Sequence, residues 1–458
     1  MDNVFFKLLN HLENSDKIVF HNDDKNVTGN QYRNLIISFA LRLKKHGVTR
    51  DSVVALDVYG IMVGTALSVA CGMIGCNWVK YSLDSVEIAE QLGITHIFHE
   101  SPLEEYKGTI KKVPLTQYWS KIPDDIEPTF LSYDDENKPF LIGFSSGTTG
   151  NAKPIFISYK EFFERVENNF DIQFEHIKYG AFLFQPLKST TQYKIIGMML
   201  NDIPVVFNIR YEDLEKYPRV QIVGSHGQID YFIRDRKPPE TSFQATVDLS
   251  GGATTIKYLE NIFKHFDQVN IGYGATETSR TTNKRLYSID DFNGSSGYPF
   301  PDVEFKFGED GTVMLKTPRA HKKDVEWFEP GDLGYMENGE LFITGRKNEQ
   351  MNIGGVKIDP NSIENEIRTI VGVSDCMVFI DERQTIEYQL SVLVVAVDAE
   401  VSRQIHEKCH NKFGISKIPQ NIYYVKKLPM IEGGKKSRKL ANDVIQDFKH
   451  TKYVYIYS

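Results

Sequence analysis

Short apolar runs bounded by polar or turn-forming residues recur along the chain, interleaved with stretches whose apolar residues return every three or four positions. Val53–Val58, Pro139–Gly143, Ile155–Ile157 and Val205–Phe207 have the length and composition of buried strands. Tyr32–Lys45 and Lys160–Phe170 carry the helical spacing instead. Repeated alternation of the two predicts an α/β architecture with layered sheets. Further on, Ser362–Ile370 follows Pro360 and reads as a helix, and Leu390–Val397 as a strand. The proline- and acid-rich stretch Ile122–Lys138 is predicted to be a surface connection. There is no internal repeat and no low-complexity tract.

One apolar segment raises the question of a membrane. Val58–Val79 contains no charged residue, is long enough to span a bilayer and places Gly60 and Gly64 in a GxxxG spacing. It also holds Thr65, Ser68, Asn77 and four glycines, and few Leu or Ile. A buried helix running into a buried strand is the expectation, with no membrane span.

Composition narrows the classes. At 458 residues the chain suggests at least two domains, and 41% apolar with 25% charged residues is a globular balance. A net charge of −8 argues against a general nucleic-acid partner. Cys71, Cys76, Cys376 and Cys409 show no CxxC or zinc-ligand spacing and fit reduced structural thiols. Met1-Asp2-Asn3 opens no basic-then-apolar leader, so a cytoplasmic location is expected.

The candidate chemistry begins between the strands at Pro139–Gly143 and Ile155–Ile157. Ser145-Ser146-Gly147-Thr148-Thr149-Gly150-Asn151-Ala152-Lys153 concentrates hydroxyls, glycines and a lysine in one loop, which suits a phosphate. It is not the common P-loop, because Ala152 and Pro154 flank Lys153. By itself the loop reads equally well as a flexible surface segment.

Segments farther along break that tie. Gly251-Gly252-Ala253, Tyr273-Gly274-Ala275-Thr276-Glu277, Gly331-Asp332-Leu333, Gly345-Arg346, Pro360 with Ile363-Glu364, and Gly434-Lys435 with Arg438 follow in order. Together with the loop they resemble the adenylate-forming superfamily of acyl-CoA synthetases, nonribosomal adenylation domains and luciferases. The resemblance implies a large N-terminal domain of several subdomains over residues 1–345. It also implies a small mobile α+β lid over 346–458, and a first subdomain trimmed by the early position of the loop.

The resemblance further implies a reaction in which a carboxylate attacks the α-phosphorus of ATP, an encounter of two anions that needs donors and positive charge in place. Ser145, Ser146, Gly147, Thr148, Thr149, Gly150 and Lys153 would form the phosphate loop. Gly251, Gly252 and Ala253 would flank the adenine, with Tyr273 nearby. Thr276 would donate to the α-phosphate and Glu277 would hold Mg²⁺; read locally, the same pair is equally a helix N-cap with a first-turn acid. Asp332 would accept from the ribose hydroxyls, supported by Arg346. Lys435 would bridge the carboxylate and α-phosphate as the catalytic lysine, although it stands in a basic run of Lys426, Lys427, Lys436, Arg438 and Lys439 that also reads as a solvated face or a grip for coenzyme A phosphates. Glu349 would be the hinge, and Gly354-Gly355 would let a pantetheine arm pass.

Several positions depart from the pattern. Ala152-Lys153-Pro154 replaces Pro-Lys-Gly, Pro330 replaces Thr before Gly-Asp, and Met430-Ile431-Glu432-Gly433 precedes Gly434-Lys435. In the acid-pocket stretch Gln185–Gln192 neither the Asp of amino-acid-activating domains nor the His of many acyl-CoA synthetases is present. An α-amino acid is therefore disfavoured; Lys188, where it faces the pocket, would suit a second carboxylate or other anionic group on the substrate, and otherwise reads as a solvated lysine. The expected function is acyl-adenylate formation followed by transfer to the thiol of coenzyme A or of a free-standing carrier protein. The alternatives are a non-catalytic nucleotide- or acyl-adenylate-binding protein, or a ligase with an amine or hydroxyl acceptor.

Overall fold

The structure is a computed structural model. It describes residues 3–22, 25–81, 88–100, 110–116, 119, 135–144, 153–167, 176–184, 186–252, 254–320, 326–347, 351–353, 356–381, 389–396, 401–414, 417–430 and 436–446. The chain divides into two compact units. The first comprises Met1–Phe305, Leu315–Phe328 and Glu337–Leu341; the second comprises Lys306–Met314, Glu329–Met336 and Phe342–Ser458.

The predicted elements of the first unit form where they are described, with boundaries shifted by a few residues; the last three residues of the helix predicted at Lys160–Phe170 lie outside the described residues. The helix Gly29–Lys45 starts three residues early because Thr28 and Gln31 make a reciprocal capping box there. The charge-free segment becomes a helix, Ile61–Ile74, and a strand, Asn77–Lys80. Gly75, at φ 80°, ends the helix in the left-handed conformation that glycine adopts without strain. Among the described residues no helix is long and apolar enough to cross a membrane.

Two sheets carry this unit. The larger runs in the order Tyr298–Pro299, Thr282–Leu286, Phe266–Ile271, Phe243–Leu249, Val220–Gly224, Tyr179–Phe182, Val205–Val206, Ile18–His21, Asn26–Thr28. Its strands from Phe266–Ile271 through Ile18–His21 are parallel. The smaller runs Lys111–Pro114, Ile94–His99, Val53–Asp57, Asn77–Lys80, Pro139–Phe144, Pro154–Ser158. One core cluster joins the two sheets through the helices Val4–Leu12, Gly29–Lys45, Ile61–Ile74, Tyr159–Glu167 and Ser189–Leu200. The period-two alternation of strands is visible in Val53–Asp57: Val54 and Leu56 face that shared core, while Val53 and Ala55 face a separate cluster on the opposite side.

The second unit is built on the sheet Val373–Asp381, Gln389–Ala396, Asn421–Tyr424. Cys376 and Val378 pack toward the helices Pro360–Arg368 and Val401–Phe413. Met377 and Phe379 pack toward Leu428 and the helix Ala441–Gln446. All four cysteines are buried and unbridged.

Candidate active site

Parallel strands leave their connections at one edge, where α/β sheets bind ligands. Four segments that the sequence singles out or adjoins leave the larger sheet at that edge. Residues 186–188 follow Tyr179–Phe182, Ser225-His226 follow Val220–Gly224, Gly251-Gly252 follow Phe243–Leu249, and Tyr273–Glu277 follow Phe266–Ile271.

The candidate phosphate loop closes a hairpin on the smaller sheet. Pro139–Phe144 pairs antiparallel with Pro154–Ser158, and Phe144 lies opposite Pro154. Ser145, Ser146, Gly147, Thr148, Thr149 and Gly150 lie outside the described residues; Lys153 is exposed at the hairpin's return. At the loop end of the hairpin, a Cβ on Gly143 would stand 3.4 Å from the methyl of Thr276, in ordinary contact. The packing within the first unit thus brings the strand end at Gly143 and the Tyr-Gly-Ala-Thr-Glu segment close together.

Thr276 and Glu277 sit in a tight turn, and not at a helix N-terminus. Gly274–Ala275 pairs with Ser279–Arg280, Thr278 Oγ1 accepts from the Ala275 amide at 3.2 Å, and Ser279 takes φ 61°. The turn's returning limb is anchored on buried polar groups. Ser279 Oγ donates to the Tyr193 hydroxyl at 2.8 Å. Arg280 and Lys194 both reach the Asp248 carboxylate, which also accepts from Gln221 Nε2 at 3.1 Å. Arg319 Nη1 donates to the Arg280 carbonyl at 2.5 Å. The carboxylate of Glu277 makes no hydrogen bond or ion pair to a described residue. Its main-chain carbonyl accepts from Arg165 Nη2 at 3.1 Å.

Gly252 lies against the ring of His226, which shares a 3.1 Å hydrogen bond with Thr254 Oγ1. Ala253 lies outside the described residues. Lys188 Nζ stands 3.6 Å above the Phe184 ring, a cation–π contact at the acid-pocket stretch.

In the second unit, Arg346 Nε donates to Asp332 Oδ1 at 3.0 Å, which unites the two residues predicted to hold the ribose. Asp332 is buried while Arg346 is partly exposed. Lys435 lies outside the described residues, as do Glu349, Gly354 and Gly355. Both ends of the segment that carries Lys435 are fixed. Met430 bridges to Lys436, Lys436 pairs with Asp375 at 2.6 Å, and Arg438 binds Glu364, Asn361 and the Val378 carbonyl. Two cations of the basic run are therefore engaged by the unit's own acids.

Sequence reasoning missed Arg165, Arg319 and Asp302. Arg165 had one signal: it is a charge three residues after Phe162 and one before Val166, both buried on the same helix.

The profile of the AMP-binding enzyme family matches residues 10–318. The chain belongs to the AMP-binding enzyme family. Its motifs place it in the adenylate-forming superfamily that they resemble. Among curated relatives of this AMP-binding enzyme, the 2-succinylbenzoate–CoA ligase of Listeria monocytogenes serotype 4b is 25% identical over 446 residues, covering 91% of this chain and 94% of that one. A long-chain-fatty-acid–CoA ligase of Escherichia coli O6:H1 is 22% identical, covering 66% and 61%. Among solved structures, the O-succinylbenzoate coenzyme A synthetase of Bacillus subtilis in complex with AMP shares the fold at a TM-score of 0.80 and 18% identity, covering 98% of this chain and 99% of that chain. Its complex with ATP and magnesium ion matches at 0.79.

Proposed function

We propose that this AMP-binding enzyme is an acid–CoA ligase. A carboxylic acid and ATP give an acyl-adenylate and pyrophosphate, and the thiol of coenzyme A then takes the acyl group and releases AMP. The observation that carries the reading is the placement of Thr276, whose methyl lies 3.4 Å from where a Cβ on Gly143 would stand at the loop end of the hairpin, beside a Glu277 carboxylate with no hydrogen bond or ion pair to a described residue.

Each residue answers part of the anion–anion problem. Donors of the loop from Ser145 to Gly150 would hold the β- and γ-phosphates, and Thr276 the α-phosphate. Glu277 fits a magnesium role because one carboxylate beside nucleotide phosphates suffices for that ion. Among the described residues no cluster of three or more His, Cys, Asp and Glu offers a separate metal cage. When bound, magnesium would neutralise charge on the departing pyrophosphate. Asp332, oriented by Arg346, would accept from the ribose hydroxyls, and Lys435 would stabilise charge developing between the carboxylate and the α-phosphate.

The curated relatives are named as CoA ligases for an aromatic dicarboxylic acid and for fatty acids. Both acid classes therefore belong in the test. The protein is incubated with ATP, magnesium, coenzyme A and aryl, short-chain, fatty and dicarboxylic acids, and the products are read by mass spectrometry. An acyl-CoA with stoichiometric AMP is the expected result. Acyl-adenylate that accumulates and is consumed only on adding a phosphopantetheinylated carrier protein would replace coenzyme A as acceptor. ATP binding with no acid-dependent AMP would refute the reading.

A further inference from the structure

Two buried arginines grip the turn that carries Thr276 and Glu277 from behind, and one belongs to the helix that leaves the phosphate-loop hairpin. Arg165 lies on Tyr159–Glu167, which begins directly after the hairpin strand Pro154–Ser158. Its side chain is 1% exposed. A single nitrogen, Nη2, donates to the carbonyls of Glu277 at 3.1 Å and Arg319 at 3.2 Å. Arg319, equally buried, holds the Asp302 carboxylate bidentately at 2.8 and 2.9 Å and passes its third nitrogen to the Arg280 carbonyl. The turn is therefore held at Glu277 by one guanidinium and at Arg280 by the other.

An arginine is a costly way to fill this place. Arg165 pairs with no carboxylate of a described residue, and its Nε has no hydrogen-bond partner among them. Attraction to the Glu161 and Glu277 carboxylates, neither within ion-pair distance, does not offset the desolvation that burial imposes, and an apolar side chain beside Phe162 and Val166 would avoid that penalty. Burial pushes the group down to about 10, so it remains a cation at neutral pH. What it supplies and a methionine does not is one charged nitrogen, Nη2, that donates to two main-chain oxygens.

We propose that Arg165 is a positioning residue for adenylation. It ties the Glu277 carbonyl to the helix that follows the loop hairpin, so that the metal-binding carboxylate and the phosphate donors keep one registry. The inference rests on the ligase reading, and specifically on Glu277 as the magnesium ligand.

The test is a magnesium titration of carboxylate-dependent ATP–pyrophosphate exchange in the wild type, Arg165→Lys, Arg165→Met and Glu277→Gln, with metal-free AMP affinity and thermal midpoint alongside. Arg165→Lys keeps the charge but ends one bond short, which withdraws the donor from the two carbonyls. Its half-maximal magnesium concentration should rise roughly 10-fold, the weight of one charge-assisted hydrogen bond, at unchanged AMP affinity. Arg165→Met should also lower the maximal rate, by about 100-fold if the carboxylate drifts by about 1 Å. If the methionine variant does not fold, the lysine variant decides. A folded Arg165→Lys with wild-type magnesium dependence, whether or not its midpoint falls, beside a crippled Glu277→Gln overturns the positioning role alone. No exchange in the wild type overturns the ligase reading and the positioning role together, whereas wild-type exchange beside a Glu277→Gln with an unaltered magnesium requirement removes Glu277 as the metal ligand and the positioning role with it.

Discussion

Gly274→Ala should disable adenylation while leaving the fold in place. A Cβ at Gly274 would stand 2.4 Å from the Ser279 carbonyl oxygen and 2.6 Å from the Arg280 Cα, whereas ordinary contact begins near 3.4 Å. Both neighbours are main chain, so no rotamer relieves the clash. The limb they belong to is held by Tyr193, Asp248 and Arg319, so the displacement falls on the Gly274–Glu277 limb and strains its single Arg165 hydrogen bond at the Glu277 carbonyl. The displacement needed is about 1 Å, on a scale where misplacing a reacting group by that distance costs about 100-fold in rate. Overpacking of this kind costs about 1–3 kcal/mol of stability. The assay is acid-dependent ATP–pyrophosphate exchange with a thermal melt on the same sample. Gly60→Ala is the control, because nothing lies within 4 Å of its Cβ position. A folded Gly274→Ala that exchanges within two-fold of the wild type would show that the turn's geometry does not set the rate.

Three further outcomes follow from the same structure. Asp332→Asn removes the charge that Arg346 binds, and AMP affinity by calorimetry should fall roughly 10-fold with little change in midpoint; unchanged affinity would remove Asp332 from the ribose site. Cys71, Cys76, Cys376 and Cys409 are buried, and burial pushes the Cys376 and Cys409 thiols up to about 12, so a thiol reagent at pH 8 should titrate none in the native protein and four after denaturation. Burial lowers the His265 and His406 imidazoles below 6.5; the unfolded chain then binds protons first, so their stabilising contribution is full above pH 6.5 and is lost as pH falls through the folded values. The urea midpoint should drop between pH 7 and 5.5, and less so in a His265→Gln, His406→Gln variant; an equal drop in both would assign the acid loss elsewhere.

Much of the fold was legible because burial writes itself into spacing. Val53–Asp57 and Gln389–Ala396 are runs that only a two-sided core accommodates, and Gly75 marks its helix end by backbone geometry alone. Ends were less legible where side chains reach across: the Thr28–Gln31 box starts its helix at Gly29, ahead of the apolar periodicity. The candidate site was legible as motifs and not as supports. Tyr273–Glu277 could be quoted from the sequence, yet its local reading as a helix N-cap fails because Gly274 and Arg280 pair across a turn, a contact set by neighbours on other strands. Arg165 lies more than a hundred positions before Asp302 and Arg319, which are themselves 17 positions apart, and these contacts form only in the folded core, so no local pattern announces them.

The account stands most directly on acid-dependent ATP–pyrophosphate exchange, measured for the wild type and Lys435→Ala with AMP binding in parallel. Exchange with at least one acid class, falling by about 100-fold or more in Lys435→Ala at unchanged AMP affinity, is the predicted result. Wild-type exchange that survives the substitution would remove the lysine from the chemistry, and nucleotide binding without exchange for any acid would contradict the ligase itself.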